Sequence, residues 1–259
     1  MSFRSPEEAG PLLVTIGRLL YEKSLVASTE GNLSIRLGDD RFLLTPAGAP
    51  KGRLRPECLV TVDGSGRLRA GQGAPSSETA MHLAIYRARP DVGAIVHAHP
   101  PTATGFAVAG IPLADCVLPE ILLTVGSIPL APYGTPGGEE LAETIVPIAR
   151  AHDAFLLKNH GAVTLGEEIW QAFHRMEMIE SFARTLFTAR LLGRVEPLER
   201  TEVAKLLGMR PAPPARAEGC GGCKTCTEKP AEGSPGEDLL VEEVLRRLEE
   251  RLREAPDRK

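Results

Sequence analysis

The segment Val92-Gly93-Ala94-Ile95-Val96-His97-Ala98-His99 constrains this chain more than any other, because it is apolar until it ends on two histidines. An unbroken apolar run of this length reads as a strand buried on both faces. Pro100-Pro101 brings it to an end. Residues i and i+2 of a strand share a face, roughly 6.5–7 Å apart at Cα. His97 and His99 can therefore turn their imidazoles toward one ion, at about 2.0–2.1 Å from each nitrogen. A lone His-x-His is only moderately specific, since core or surface histidines also produce it.

A third histidine strengthens the case. The chain has only 6 histidines, and His160 also follows an apolar strand, Ala154-Phe155-Leu156-Leu157-Lys158. Its neighbours Asn159 and Gly161 suit a tight, exposed turn. Three histidines at two strand ends make an open site with room for water or substrate, the catalytic type of zinc site. His82, His152 and His174 fall in helical patterns or loops and read as structural.

Around these segments the pattern alternates between helix and strand. Leu12, Leu13, Ile16, Leu19 and Leu20 give helical spacing over residues 6–24. Leu33 to Leu37 and Arg41 to Thr45 read as a hairpin across Gly38-Asp39-Asp40, and Leu59 to Asp63 as a further strand. Glu78 to Arg89 reads as a helix capped by Ser76 or Ser77. Further helices are predicted over Gly138 to Ala151, despite Pro147, and over residues 167–192.

Pro75-Ser76-Ser77-Glu78 places two hydroxyls and several backbone N–H groups at a helix start, a ready anion site. Taken alone it is an ordinary capped helix. With two other polar turns, Gly31-Asn32 and Thr45-Pro46-Ala47-Gly48, it suggests a phosphate cradle made of neutral donors.

Gly31-Asn32-Leu33-Ser34, Thr45-Pro46-Ala47-Gly48, Pro75-Ser76-Ser77-Glu78, His97-Ala98-His99 and Asn159-His160-Gly161 together resemble the ordered motif series of the class II aldolase/adducin family. The resemblance spans roughly residues 8–195 and is strongest to the fuculose-phosphate aldolase branch. It implies a three-layer α/β/α sandwich around a central mixed, largely antiparallel sheet. It also implies one zinc ion per subunit held by His97, His99 and His160. Glu78 matches the catalytic acid/base, which can also coordinate the metal. Gly31, Asn32, Ala47, Gly48, Ser76 and Ser77 match the phosphate-binding positions, Ala47 through its backbone alone. Members are typically homotetramers with the site between subunits.

The activity so implied is retro-aldol cleavage of a phosphorylated ketose, such as fuculose 1-phosphate, to dihydroxyacetone phosphate and an aldehyde. Pentulose-phosphate 4-epimerisation and methylthioribulose-phosphate dehydration are the alternatives at the same metal, with Glu120 a candidate acid for the dehydratase. Epimerases of the family tend to carry Asp where this chain has Glu78. The only tyrosines are Tyr21, Tyr86 and Tyr133, so the C-terminal tyrosine of the fuculose enzymes has no counterpart. A non-catalytic, adducin-like scaffold predicts degenerate ligands, against which the intact histidine and glutamate set argues.

Composition narrows the partners. Thirty basic against 34 acidic residues gives a formal net charge of −4, no electrostatic reason to expect nucleic acid or an anionic membrane. No run approaches the 18 apolar residues of a bilayer span, and the first residues lack a signal-peptide core. A cytoplasmic enzyme is expected, with a catalytic domain over residues 1–208. Residues 209–236 read as a flexible Pro/Gly linker holding Cys220, Cys223 and Cys226, three thiolates where a metal site needs a further ligand. Residues 237–259 read as an amphipathic helix. Its form resembles the encapsulation peptides that direct enzymes into bacterial microcompartments. Self-association or docking on the enzyme's own surface is the plainer alternative.

Overall fold

The computed structural model describes residues 5–38 and 40–209. The expected linker and C-terminal helix, with the microcompartment address and the cysteine cluster, lie outside the described residues. The chain opens with helix α1 (Pro6–Glu22), where Ser5 Oγ accepts the Glu8 N–H and Pro6 occupies the first turn. Its buried stripe of Leu13, Ile16 and Leu20 has the expected helical spacing. Then come strands β1 (Asn32–Arg36), β2 (Arg41–Leu44), β3 (Val60–Asp63) and β4 (Leu68–Ala70), followed by helix α2 (Thr79–Ala88). Strand β5 (Ala94–Ala98) leads through α3 (Pro101–Ala109) and α4 (Pro119–Thr124) to β6 (Leu130–Ala131). The order closes with α5 (Glu139–Ala151), β7 (Ala154–Leu157), β8 (Gly161–Gly166), α6 (Ile169–Leu192) and α7 (Arg200–Met209).

The eight strands form one sheet in the order β4-β3-β2-β1-β5-β8-β7-β6. Every neighbouring pair is antiparallel except β6 and β7. Because successive side chains point to opposite faces, β5 divides its residues between two cores. Ala94, Val96 and Ala98 join α1, α3 and α6 on one face. Ile95 joins α2 and α5 on the other. Both faces are covered, giving the expected α/β/α sandwich. That double burial is why the strand reads as continuous rather than alternating.

Two local expectations are revised, and the helix through Pro147 holds. Helix α2 begins at Thr79 rather than Glu78, and neither serine caps it. Glu78 itself is the N-cap residue and makes no side-chain cap bond. Ser76 Oγ instead accepts the Glu78 N–H at 3.3 Å, and the Glu78 carboxylate turns toward the histidines. Pro101 starts a helix as well as following a strand: a proline in the first turn lacks only a donor that has no partner there anyway. α5 runs through Pro147. No helix of the described residues is long and apolar enough to cross a membrane.

Candidate active site at the end of strand β5

Strand register brings the polar residues together. In β1, Asn32 lies opposite His97 of β5, and His97 lies opposite Val163 of β8. Opposed residues of antiparallel strands project to the same face, so Asn32 and His97 share the α2 side of the sheet. His99 follows the end of β5, its N–H bonded to the Leu25 carbonyl at 3.1 Å. His160 sits in the three-residue turn between β7 and β8, where Asn159 takes a left-handed φ of 58°. Asparagine tolerates that conformation better than most residues.

The three imidazoles converge. Their ring centroids are 4.8–4.9 Å apart, with planes inclined by 64–70°, and one ligand nitrogen from each lies within 4.8 Å of the others. His97 Nδ1 donates to the Ala162 carbonyl at 2.9 Å, which leaves its Nε2 facing the cluster. His99 Nδ1 meets Glu30 Oε2 at 3.2 Å, with the same consequence. The two Nε2 atoms are 3.1 Å apart. Glu78 completes the group, with Oε2 3.2 Å from His97 Nε2 and Oε1 3.4 Å from His160 Nε2.

These spacings test whether a cation fits. Donors placed about 2.0–2.1 Å from a common tetrahedral centre lie about 3.3 Å from one another. The closest spacings here are 3.1–3.4 Å, and the histidine nitrogens all lie within 4.8 Å, so a small inward movement would seat an ion. Glu78 Oε1 is buried and accepts no hydrogen bond, an orphan that a cation would satisfy. The donor set of neutral imidazoles and one carboxylate suits zinc.

The electrostatics favour the neutral, ligating form at two of the three histidines. Burial pushes the His160 imidazole down to about 4, with the neighbouring His97 charge adding to it, and His99 is lowered for the same two reasons. Both are thus unprotonated at neutral pH, as ligands must be. Burial also opposes the charge on His97, but the adjacent Glu78 carboxylate outweighs it. Glu78 in turn is held well below the ordinary carboxyl range. Burial works to raise it, and His97, His160 and the Asn32 amide more than compensate.

The phosphate-binding candidates fall into two groups. Pro46 and Pro75 form an isolated bridge, and Ala47 N–H donates to the Ala74 carbonyl at 2.9 Å, so two of the polar turns lie side by side. Thr45 ties them to the first: its N–H donates to the Leu33 carbonyl at 3.1 Å, and the Leu33 N–H donates to Thr45 Oγ1 at 3.1 Å. Gly48 and Ser77 are exposed and Ser76 is half-buried. Gly31 has φ 72°, and a Cβ there would lie 2.7 Å from the His97 carbonyl oxygen, so only glycine lets this turn rest against β5.

Two of these candidates have partners within the chain. The Ala47 N–H expected to face an anion is already bonded to Ala74. The Asn32 side chain, expected at the phosphate, is buried and donates Nδ2 to Glu78 Oε2 at 2.7 Å. Glu120 is exposed in the first turn of α4 and is not among the grouped ligands.

Sequence reasoning gave Glu30 and Lys51 no role and read His82 as merely structural. Glu30 backs His99. Lys51, only 2% exposed, donates to the carbonyls of Thr29 and Ala49, joining the first two polar turns. Burial pushes its ammonium down to about 8, against the pull of Glu30 and Glu78. His82 is buried and bonded to Asn32. Spacing could have exposed the last: Glu78, His82 and Tyr86 recur at four residues, one helical stripe, opposite Asn32 and Ser34 on one strand face.

Comparison with known proteins agrees with this geometry. Residues 12–187 match the family described as Class II Aldolase and Adducin N-terminal domain. The 3-oxo-tetronate 4-phosphate decarboxylase of Haemophilus influenzae is 36% identical over 200 residues, 75% of this chain and 94% of its own length. The L-fuculose phosphate aldolase of Methanococcus maripaludis is 36% identical over 171 residues, 66% of this chain and 92% of its own. Among solved structures, the YgbL protein of Escherichia coli, described as a candidate aldolase, epimerase or decarboxylase, has a TM-score of 0.71. It is 31% identical over 78% of this chain and 99% of its own. With its strand order, its histidine and glutamate cluster and these likenesses, the chain belongs to the class II aldolase and adducin family.

Proposed function

We propose that the protein is a zinc-dependent lyase that breaks the C–C bond between the α and β carbons of a phosphorylated carbonyl sugar derivative, by retro-aldol cleavage of a ketose phosphate. The observation that carries this reading is the convergence of three imidazole Nε2 atoms and the Glu78 carboxylate beside three linked polar turns.

His97, His99, His160 and Glu78 would hold the ion. When bound, it supplies a Lewis acid that draws electron density from the substrate's carbonyl oxygen. The chain's own groups do the rest. Ser76, Ser77 and Gly48, at the exposed end of the site, bind the phosphate through hydroxyl and backbone donors, with Gly31 shaping the adjoining turn. That fixes the scissile bond over the cation corner. Lys51 holds the first two turns together. Glu78 accepts the hydroxyl proton of the departing aldehyde carbon and returns a proton to the carbon that keeps the electron pair.

A second reading is decarboxylation of a phosphorylated 3-oxo sugar acid. It is favoured by one observation: the Haemophilus decarboxylase matches 75% of this chain and the Methanococcus aldolase 66%. The two reactions share a fragment. Loss of CO2 from a 3-oxo-tetronate 4-phosphate and loss of an aldehyde from a ketose 1-phosphate both leave the carbanion equivalent of dihydroxyacetone phosphate. In decarboxylation no substrate hydroxyl is deprotonated, and Glu78 only delivers the proton that replaces the carboxylate. The half retained by the phosphate turns is therefore the same, and the reactions differ in the half that leaves.

The test is metal analysis of the purified protein, followed by incubation of the zinc form with four compounds. These are fuculose 1-phosphate, ribulose 1-phosphate, ribulose 5-phosphate and a 3-oxo-tetronate 4-phosphate. Dihydroxyacetone phosphate with an aldehyde supports retro-aldol cleavage. Dihydroxyacetone phosphate with CO2 supports the second reading. Epimerised pentulose, or no turnover of any compound, overturns the lyase assignment. The same reading makes the protein a homotetramer, for which exposed Val108, Phe187, Leu191 and Leu192 offer apolar surface.

A further inference from the structure

Beneath the cation corner, a line of buried polar groups runs from β1 to α2. Asn32 Nδ2 lies 2.7 Å from Glu78 Oε2, and Asn32 Oδ1 lies 2.6 Å from His82 Nε2. His82 Nδ1 lies 2.6 Å from Ser34 Oγ, which lies 2.8 Å from Tyr86 Oη. All five residues are buried, Ser34, His82 and Tyr86 at 0–1% exposure. Two come from one strand face and three from one helical stripe.

Chemistry fixes the direction of every bond in this line. An ionised carboxylate only accepts, so Asn32 must present its amide N–H to Glu78 and its oxygen to His82. An amide oxygen only accepts, so His82 Nε2 must carry the proton. His82 Nδ1 is then a bare acceptor, so the Ser34 hydroxyl must donate to it, and Ser34 Oγ is left to accept the Tyr86 hydroxyl proton. Each buried donor and acceptor in the line has one consistent role. A protonated His82 would put two donors against Ser34 and Asn32, and burial opposes that charge.

We propose that His82, backed by Ser34 and Tyr86, is a positioning residue that locks the Asn32 amide so that its N–H faces Glu78. It thereby aims the Glu78 carboxylate at the cation corner. This rests on the lyase reading only in assigning Glu78 its role. The bond directions stand without it. A flipped Asn32 amide would set oxygen against carboxylate on one side and N–H against His82 Nε2–H on the other, so His82 reinforces the orientation that Glu78 requires. In this account Asn32 serves the proton carrier rather than the phosphate.

The first test needs no turnover. Nitrogen-15 NMR of the imidazoles in the full chain, zinc-loaded, is expected to show His82 as the neutral tautomer protonated on Nε2. A proton on Nδ1, or a charged ring at neutral pH, overturns the proposal. The second test is kinetic. His82→Leu is expected to lower kcat about tenfold to a hundredfold, the usual effect of removing an outer hydrogen-bond partner, with KM and metal content little changed. His82→Gln, whose amide N–H can take the place of Nε2–H, is expected to restore a large part of that loss. Asn32→Asp, which sets oxygen against Glu78, is expected to lower kcat at least as far.

In a Glu78→Gln background, His82→Leu is expected to add almost nothing, since the two act as one unit. Equal additional loss in that background would make His82 merely structural. A rise in KM with kcat retained in Asn32→Asp would return Asn32 to the phosphate. If the wild type turns over none of the four sugar phosphates, the lyase reading fails while the tautomer measurement still decides this proposal.

Discussion

The corner that holds Asn32, Glu78 and His97 and the rim formed by residues 46–48 and 75–77 adjoin one another, yet they are built on opposite plans. In the corner each side chain is buried and comes from a regular element or its cap, and register sets its position. In the rim the groups sit on turns and are largely exposed, and one backbone bond with one isolated bridge joins the two loops. The corner suits chemistry that tolerates little displacement, and the rim suits a phosphate that approaches from solvent. Position therefore separates catalysis from capture, and substitutions should divide along the same line.

The sharpest way to break that contrast is His97→Ala against Ser77→Ala. The first is expected to abolish cation binding and lower kcat/KM on whichever sugar phosphate proves active by about a thousandfold, the equivalent of several kcal/mol of lost electrophilic assistance. The second is expected to raise KM about tenfold, with kcat and metal content nearly unchanged, as for one lost bond to a charged group. Metal analysis with steady-state kinetics checks both. Equal loss of metal in the two variants would erase the division.

Glu30 stands behind His99. Glu30→Ala is expected to weaken zinc binding about tenfold to a hundredfold, because His99 loses the carboxylate that orients its ring. Competition with a chromophoric chelator measures it, and an unchanged affinity would move Glu30 out of the cation corner.

Two glycines give a smaller test. Both Gly31 and Gly48 have positive φ, 72° and 67°. At Gly48 a Cβ would meet nothing within 4 Å, whereas at Gly31 it would strike the His97 carbonyl. Gly48→Ala is expected to cost about 1–2 kcal/mol of stability from backbone strain alone. Gly31→Ala adds overpacking of about 1–3 kcal/mol. Denaturant midpoints distinguish them, and equal losses would mean that β5 gives way freely.

The last effect concerns acid. Burial, helped by the His97 charge, pushes His82 from 6.5 down to about 3 in the folded chain. Between those two values the unfolded chain binds a proton that the folded chain does not, so this residue makes stability fall as pH drops from 6.5 toward 3. His82→Gln is expected to show a shallower loss over that window than the wild type in pH-dependent unfolding. Identical slopes would mean that His82 titrates alike in both states.

What the sequence disclosed follows the same division. The apolar run into His97 and His99, the strand into His160 and the hairpin before Thr45 carry strong periodic signals, and the structure brings all three histidines together. Signals faded wherever one residue type serves two purposes. Pro100-Pro101 reads as a stop, although Pro101 also opens α3. Ser76-Ser77 before a helix reads as a cap, although Glu78 takes that place because its carboxylate is drawn elsewhere. His82 sits among Met81, Leu83, Ala84 and Ile85, so its surroundings in the chain read as apolar even though Glu78 and Tyr86 share its stripe. Its bonds to β1 become visible only when the helix is laid on the sheet. Lys51 in a Pro/Gly loop looks like any solvated lysine until its two carbonyl partners are seen.

The bond from His97 Nδ1 to the Ala162 carbonyl, one strand away, has a further consequence. The ring is stitched to a neighbour, so it cannot swivel unless β5 and β8 part, and parting them would open the middle of the sheet. The exposed side chains of the rim, such as Ser77, carry no such bond to the sheet and can be exchanged with less disturbance. A lineage built this way can change which molecules it dismantles while inheriting, untouched, the grip that makes dismantling feasible.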